Sequence, residues 1–286
     1  IAKANQHLSQ DQPDSALFVY KKAIQQAQQK RQKPLHLQAG LGLAEVYVYL
    51  GDYARAKDQL ETCVTWAQRQ NDRTQLLQTW LMWAEVEFAE GNLSESETIL
   101  KKLEKRAQPG QDQSALANAY NLWAKIYSQQ GQSDPANAYL QKGKTLALQL
   151  PDKTLAMDLL TQLATNYKNQ TGALIQAQAH LEELIALREK TKDQRNLIAD
   201  HQELADLLQQ TGDHPKAQLQ LLKALLLAEA VRDTLQQMEL LFSLAQGYLG
   251  QNQTSTAEVY LRRSLIIKKK KKNEYKIAEI KRLQGH

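Results

Sequence analysis

Apolar residues recur at three- and four-residue spacing through most of the chain. The segments "LGLAEVYVYL" (41–50) and "ARAKDQLETCV" (54–64) show this spacing on the two sides of Gly51. Spacing of this kind is the stripe of an amphipathic helix with 3.6 residues per turn. Glycine is the usual residue for the left-handed position that ends a helix. The pattern therefore predicts two helices joined by a tight turn at Gly51.

The same pattern repeats every 40 residues, with one residue inserted near "NQTGALIQ". Small residues form one column on the first helix of each repeat: Ala4, Ala44, Ala84, Ala124, Ala164, Ala205, Ala245 and Gly285. A second small column follows the turn: Ala16, Ala56, Ser96, Ala136, Ala177, Ala217 and Ala257. Four residues later come Tyr20, Leu60, Leu100, Leu140, Leu181, Leu221 and Leu261. Turn residues separate the two small columns: Gly51, Gly91, Gly131, Gly212 and Asn252. Self-similarity at a fixed period predicts a repeat array.

The order of residues within one repeat resembles the tetratricopeptide repeat. In "LGLAEVYVYLGDYARAKDQLETCV" (41–64) a small residue, a tyrosine, a Gly-Asp-Tyr turn, an alanine and a large apolar residue follow one another. Tyr47, Tyr127 and Tyr248 occupy the tyrosine column, and Leu208 replaces the tyrosine in the sixth repeat. The third repeat departs from the family pattern with Glu87 and Ser96. The long repeats are similar to variants in bacterial signalling proteins and kinesin light chains.

This resemblance implies an all-α fold: a right-handed superhelical solenoid of antiparallel helix pairs, with about seven repeats and partial helices at the ends. We expect residues 1–286 to form a single array that includes a partial eighth repeat at 273–286. The chain opens without an initiator Met and already within a helical pattern. We therefore expect it to be a fragment of a larger protein.

Composition agrees with helices, because 12 Gly and 6 Pro leave few turn-makers among 286 residues. The net charge of +5 is dominated by five consecutive lysines, Lys268 to Lys272. The repeat register places Lys268 eleven residues after Ala257, at the predicted last turn of a second helix, in a column that otherwise holds mostly alanine. Cations there would complement the helix dipole. The run is interpreted as a solvated helix end, with nucleic-acid binding as the alternative.

No residue pattern indicates a catalytic, metal or cofactor site. The segment "GLGLAE" (40–45) has Glu45 where a dinucleotide-binding motif needs its third glycine. The only cysteine, Cys63, falls in a core column. Trp83 and Trp123 precede the first-helix alanines and are predicted to pack in the core, whereas Trp80 is expected nearer the groove. Scattered surface imidazoles are expected for the histidines: His7, His36, His180, His201, His214 and His286.

The resemblance implies that recognition residues lie on the concave faces of the first helices, six and three residues before the alanine and one and four after it. The candidate groove residues are Gln38, Leu41, Glu45, Gln78, Leu81, Glu85, Phe88, Asn118, Asn121, Lys125, Thr161, Thr165, Lys168, Gln202, Asp206, Phe242 and Gln246. Amide and hydroxyl groups could bind an extended peptide backbone, and the apolar residues could accept its side chains. The alternative is that these are ordinary solvated helix faces. The position after the alanine holds no Asn, which argues against an anionic tail as the ligand.

The leading hypothesis is a non-enzymatic scaffold or sensory module that binds a protein or an extended peptide, within a bacterial signalling protein such as a sensor histidine kinase. The alternatives are the peptide-responsive part of a transcriptional regulator and nucleic-acid binding through the lysine run. No segment reaches the roughly 18–20 apolar residues of a membrane span. A sensor kinase would place the chain in the periplasm, and the other hypotheses in the cytoplasm. Incomplete terminal repeats could also support a homo-oligomer.

Overall fold

The computed structural model describes residues 1–29, 33–108 and 110–283, without the side chains of 33–34, 194–195 and 270–283. Within these residues all regular secondary structure is helical. The chain divides into two compact units, Ile1–Leu159 and Leu160–His286, and the boundary falls inside the ninth helix. Each unit is described by itself.

The first compact unit contains eight complete helices among its described residues. They are α1 (Ala2–Ser9), α2 (Pro13–Gln29), α3 (Lys33–Tyr49), α4 (Tyr53–Arg69), α5 (Arg73–Glu90), α6 (Leu93–Arg106), α7 (Gln113–Gln129) and α8 (Ser133–Ala147). Each helix packs on the next, and the first helices α3, α5 and α7 also contact one another in order. This is the arrangement of stacked helix pairs that the repeat pattern predicts.

The second compact unit begins within α9 (Thr154–Asn169) and continues with five further helices. They are α10 (Leu174–Thr191), α11 (Gln194–Gln210), α12 (His214–Ala230), α13 (Thr234–Gly250) and α14 (Thr254–Leu283). Consecutive helices from α10 to α14 pack on each other. With α9 as a first helix, the described chain contains seven helix pairs.

The small-residue columns lie in the core, as predicted. Ala44, Ala84 and Ala124 are buried on the first helices, and Ala56 and Ala136 are buried on the second. Alanine at these positions lets two helix backbones approach closely, and the leucine column fills the space beside them. The period-40 pattern is therefore a packing pattern.

The turns inside the helix pairs use left-handed residues. Gly51 has φ +73°, and the N–H of Asp52 donates to the carbonyl of Tyr47 at 2.8 Å, which closes the first helix of that pair. Asp52 then accepts a hydrogen bond from the backbone N–H of Arg55 at 3.1 Å and caps the second helix. Asn252, which takes the glycine position in the last pair, has φ +59°. One short segment thus ends one helix and begins the next.

The end of the second compact unit corrects two expectations. Helix α14 runs without a break from Thr254 to Leu283, so the lysine run lies within a helix and not at its end. The turn expected before an eighth repeat at 273–286 is not there, and residues 284–286 lie outside the described part. Lysine and glutamate are good helix formers, and "KKKKKNEY" contains no glycine or proline to end a helix.

The column that contains Lys268 is also exposed at this end. Lys268 and Lys269 face solvent. Leu265 is 55% exposed, whereas Leu225 at the same position of the preceding repeat is 3% exposed. This face of α14 is therefore one that no described helix covers.

Candidate functional site

The predicted groove residues all remain accessible to solvent. None of them is buried, although each lies within six residues of the buried column alanine of its first helix. The residue directly after that alanine is exposed in every repeat from the second onward: Glu45, Glu85, Lys125, Thr165, Asp206 and Gln246. Each first helix thus has a buried stripe and a solvent-accessible stripe, and the predicted groove residues lie on the accessible stripe.

Three of the candidates line one cavity in the first compact unit. The cavity has a volume of about 320 Å³ and lies between α5 and α7. Gln78 and Leu81 contribute from α5, and Asn118 contributes from α7. The side-chain amide of Asn118 donates to the carbonyl of Ser114 at 2.8 Å, which fixes its orientation. The cavity combines apolar wall with amide and hydroxyl groups, as a site for a peptide side chain would.

The floor of this cavity includes residues that the sequence interpretation missed. They come from the first turns of α5 and α7 and the loop before α7: Thr74, Leu77, Gln111, Asp112, Ser114 and Ala115. An aspartate precedes the first helix in five repeats, at Asp72, Asp112, Asp152, Asp193 and Asp233. This recurring aspartate is a sequence signal from which the contribution of the loop could have been predicted.

Asp112 departs from the other members of this column. Asp72 caps its helix by accepting from the backbone N–H of Gln75 at 3.1 Å. Asp112 instead accepts from the backbone N–H of Gln108 at 2.8 Å and lies 3.0 Å from the Nε of Arg73. It is nearly buried, so this charge-assisted contact ties the loop before α7 to the start of α5. The edge of the cavity is therefore held by an ion pair between neighbouring repeats.

The exposed column of the first compact unit is electrostatically coupled. Burial raises the pKa of the Glu85 carboxyl, Lys125 opposes the rise and Glu45 adds to it. The three side chains occupy the same position in successive repeats and therefore share one face. Although Glu85 is open to solvent, enough protein surrounds it to disfavour its charged form. A side chain that is open to solvent but has its pKa raised by burial is expected in a recess of the protein surface.

In the second compact unit, a basic side chain among the candidate residues pairs with an acidic one. Lys168 on α9 forms a salt bridge of 2.9 Å with Glu203 on α11. Burial raises the pKa of Asp206, with Lys168 opposing and Glu203 adding to the shift. Among the other candidates, the Thr165 hydroxyl donates to the carbonyl of Thr161, and Phe242 is half exposed. Gln202 and Gln246 are accessible, and none of the described cavities includes any of these side chains.

Cys63, Trp123 and His201 lie in the core. Cys63 is buried, and burial raises the pKa of its thiol to about 11, as expected for a core residue. Trp123 is buried as predicted, whereas Trp80 packs against a cluster that includes Leu37 and Cys63. The expectation of surface imidazoles is wrong for His201, which is buried and lies 2.8 Å from the side-chain oxygen of Gln220.

In the described part of the chain, no group of three or more His, Cys, Asp or Glu side chains is placed to hold a metal ion. No helix in the same part of the chain has both the length and the apolar character needed to cross a bilayer.

Comparison with known protein families matches one repeat of the chain. The family model described as "Tetratricopeptide repeat" matches residues 41–70. This is the repeat whose residue order suggested the family. A search of curated protein sequences finds no match.

Solved structures extend the likeness from one repeat to the fold. BtubC (BKLC) from P. vanneervenii is 17% identical with a TM-score of 0.64, covering 77% of this chain and 92% of that one. A Rap protein complexed with Competence and Sporulation Factor is 16% identical with a TM-score of 0.58, covering 94% and 73%.

A third similar structure is a Signal Transduction ATPase with Numerous Domains from Pyrococcus horikoshii, described as having a tetratricopeptide repeat sensor. It is 16% identical with a TM-score of 0.61, and the match covers 87% of this chain. The chain spans only 37% of the length of that protein. At these identities the similarity establishes the fold: an all-α array of tetratricopeptide-type helix pairs.

Proposed function

We propose that this tetratricopeptide-repeat chain is a non-enzymatic module that binds an extended segment of a protein on the accessible faces of its first helices. The observation that carries the proposal is the 320 Å³ cavity between α5 and α7, where Gln78, Leu81 and Asn118 meet. An extended peptide leaves backbone N–H and C=O groups free, and amide side chains can pair with both. The cavity would accept one of its side chains.

Similar structures support this proposal at the level of fold. The Rap protein was solved with a bound factor, and the repeat region of the Pyrococcus protein is described as a sensor. We accordingly propose that the chain serves as a sensory or scaffolding part of a larger signalling protein. The reading frame on either side tests the sensor-kinase form of this proposal. A frame containing neither a membrane segment nor a kinase module would exclude that form.

Peptide selection on the complete chain tests the binding proposal. A displayed library of random peptides is selected on the wild type, and the retained peptides are then measured against a Gln78→Trp variant. Gln78 is exposed, so the larger side chain can occupy the cavity without entering the core. Glu61→Trp is the matched control, because Glu61 is exposed on the second helix α4.

We expect peptides that bind the wild type and the control but lose at least about tenfold in affinity with Gln78→Trp, a change of about 1.4 kcal/mol. Circular dichroism melting of all three proteins confirms that the fold is retained. Peptides that bind the three proteins equally would place the binding surface elsewhere and contradict the proposal.

A further inference from the structure

Two carboxylates on the candidate groove face of the first compact unit form no salt bridge with any described residue. Glu45 on α3 and Glu85 on α5 are both exposed. In the described part of the chain, neither forms a salt bridge or a hydrogen bond through its side chain. Burial raises the pKa of Glu85, and Lys125 is close enough to oppose this rise but forms no salt bridge with Glu85. The pair therefore presents negative charge to whatever occupies the groove.

The surroundings of Glu85 make this charge more effective than one on an open surface. Burial is the largest cause of its raised pKa, and the charge of Glu45 raises it further. Both effects oppose ionisation, and an added cation near the two carboxylates would relieve both. Since partial dehydration also lowers the local dielectric, a bound cation would gain more here than at a fully hydrated glutamate.

Apolar contacts adjoin the carboxylates along the same helix face. Leu81 lies one turn before Glu85 and lines the cavity, and Phe88 lies about one turn after it and is partly exposed. The helix rises about 1.5 Å per residue, so Leu81 and Glu85 are separated by about 6 Å along α5. In an extended peptide, side chains two residues apart lie on the same side and are separated by about 6.6 Å. The two spacings match.

We infer that the groove of the first compact unit recognises a basic extended segment of a partner protein, with an apolar side chain in the α5–α7 cavity and a lysine or arginine two residues away at Glu45 and Glu85. This inference rests on the proposed function, because it specifies which peptides the same surface prefers. Charge complementarity selects the basic residue, and the cavity selects the apolar one.

The chain's own lysine run is a competing occupant that the structure disfavours. The run lies within the continuous helix α14, whereas the matched spacing belongs to an extended segment. If a second copy presented this helix, the backbone N–H and C=O groups of the helix would already be hydrogen-bonded to one another. They could not then pair with the amide side chains of the groove. We therefore include the run as an outcome of the test.

An array of immobilised peptides probed with the complete chain tests the inference. Each peptide carries Leu or Phe two positions from Lys, Gln or Glu in a serine background, and one further peptide reproduces residues 266–275. At low salt we expect Lys peptides to bind about three- to tenfold more tightly than Gln peptides, and Glu peptides to bind weakest. Raising the salt to about 0.5 M should shrink this preference, because exposed charges are screened.

Substitutions at the two carboxylates decide the result. The Glu45→Gln/Glu85→Gln double variant should lose the preference for Lys while still binding the Gln peptides, and Glu61→Gln, on the exposed part of α4, should keep it. An equal ranking in the double variant and the wild type would overturn the inference. A stronger signal from the 266–275 peptide than from all others would assign the groove to a second copy and overturn it as well.

The outcomes also separate this inference from the proposed function. Peptides that bind without regard to charge but are lost in Gln78→Trp would remove the basic specificity and leave peptide binding intact. If no peptide of any charge binds the wild type, both proposals fail together.

Discussion

The indole N–H of Trp83 donates to the carboxylate of Glu87 at 3.1 Å, one turn further along α5. Glu87 is 5% exposed and also accepts from the side-chain amide of Asn92 at 2.9 Å and lies 3.5 Å from the ammonium of Lys57. Here the third repeat places a carboxylate where most other repeats place a tyrosine. A buried carboxylate is tolerated because each of these three groups satisfies part of it.

Removing the Glu87 carboxylate should therefore destabilise the first compact unit. We expect Glu87→Ala to cost about 2–3 kcal/mol, because it removes a buried acceptor and leaves the partly buried indole N–H of Trp83 without its partner. Lys57→Ala should cost less than about 1 kcal/mol. Urea unfolding followed by tryptophan fluorescence measures both. Glu61→Ala provides an exposed control on α4. Equal losses for Glu87→Ala and the control would show that the contacts around Glu87 contribute little.

A close helix contact at Gly42 gives a second stability prediction. A Cβ atom at Gly42 would lie 2.3 Å from the ring of Tyr20, which is buried and donates from its hydroxyl to Asn5. We expect Gly42→Ala to cost about 3 kcal/mol, since the ring would have to move out of a packed core. Gly247 offers a matched control within α13, because the nearest atom to an added Cβ there would be the flexible side-chain amide of Gln209, at 3.8 Å. Gly247→Ala should stabilise the helix by about 0.5–1 kcal/mol.

Thermal unfolding of both glycine variants checks the sign of each change. A Gly42→Ala protein as stable as the wild type would mean that α2 and α3 do not approach as closely as the structure shows.

The repeat period predicted the fold because one constraint recurs seven times. Ala44, Ala84 and Ala124 are each small for the same packing reason. The prediction of the fold therefore rests on a whole column of residues and does not depend on any single one. The exposure of the candidate groove residues followed from the same helical periodicity. The roles of Glu87 and Asp112 could not be predicted in this way, because each forms an ion pair with a residue about 30–40 positions earlier. Glu87 pairs with Lys57, and Asp112 pairs with Arg73. Such pairings leave no periodic signal in a single sequence.

Buried charge in the second compact unit makes stability depend on pH. Burial raises the pKa of Asp200 to about 6, the 3.0 Å contact with Arg188 opposes this rise, and Glu203 and Asp193 add to it. The folded-state pKa is higher than the unfolded value, so the folded form takes up the proton more readily. The stabilising contribution is therefore complete below about pH 4 and is lost as the pH rises through about 6.

The comparison with Asp200→Asn isolates this effect from other titrating groups. Relative to the variant, the wild type should gain about 1–1.5 kcal/mol of unfolding free energy between pH 7.5 and pH 5. Urea titrations of both proteins at several pH values measure the difference. A difference that is constant with pH would contradict the raised pKa, and one that falls on acidification would reverse its direction.

The lysine run gives a prediction whose sign depends on where α14 ends. Within a continuous helix, Lys268 is one turn from Lys271 and Lys272, and like charges at this spacing destabilise a helix by a few tenths of a kcal/mol per pair. Lys268→Glu would remove this repulsion and create a favourable Glu-to-Lys pair at four-residue spacing. We therefore expect greater protection of the amides around residues 264–272 from hydrogen exchange at low salt.

A helix that ended at Lys268 would respond in the opposite way, because a negative charge at a helix C-terminus is unfavourable by about 0.3–1 kcal/mol. Reduced protection in Lys268→Glu would thus contradict the continuous helix. The effect should fade at about 1 M salt, where the screening length is only about 3 Å. Lys223→Glu, at an exposed position of α12 away from the run, controls for the change in net charge.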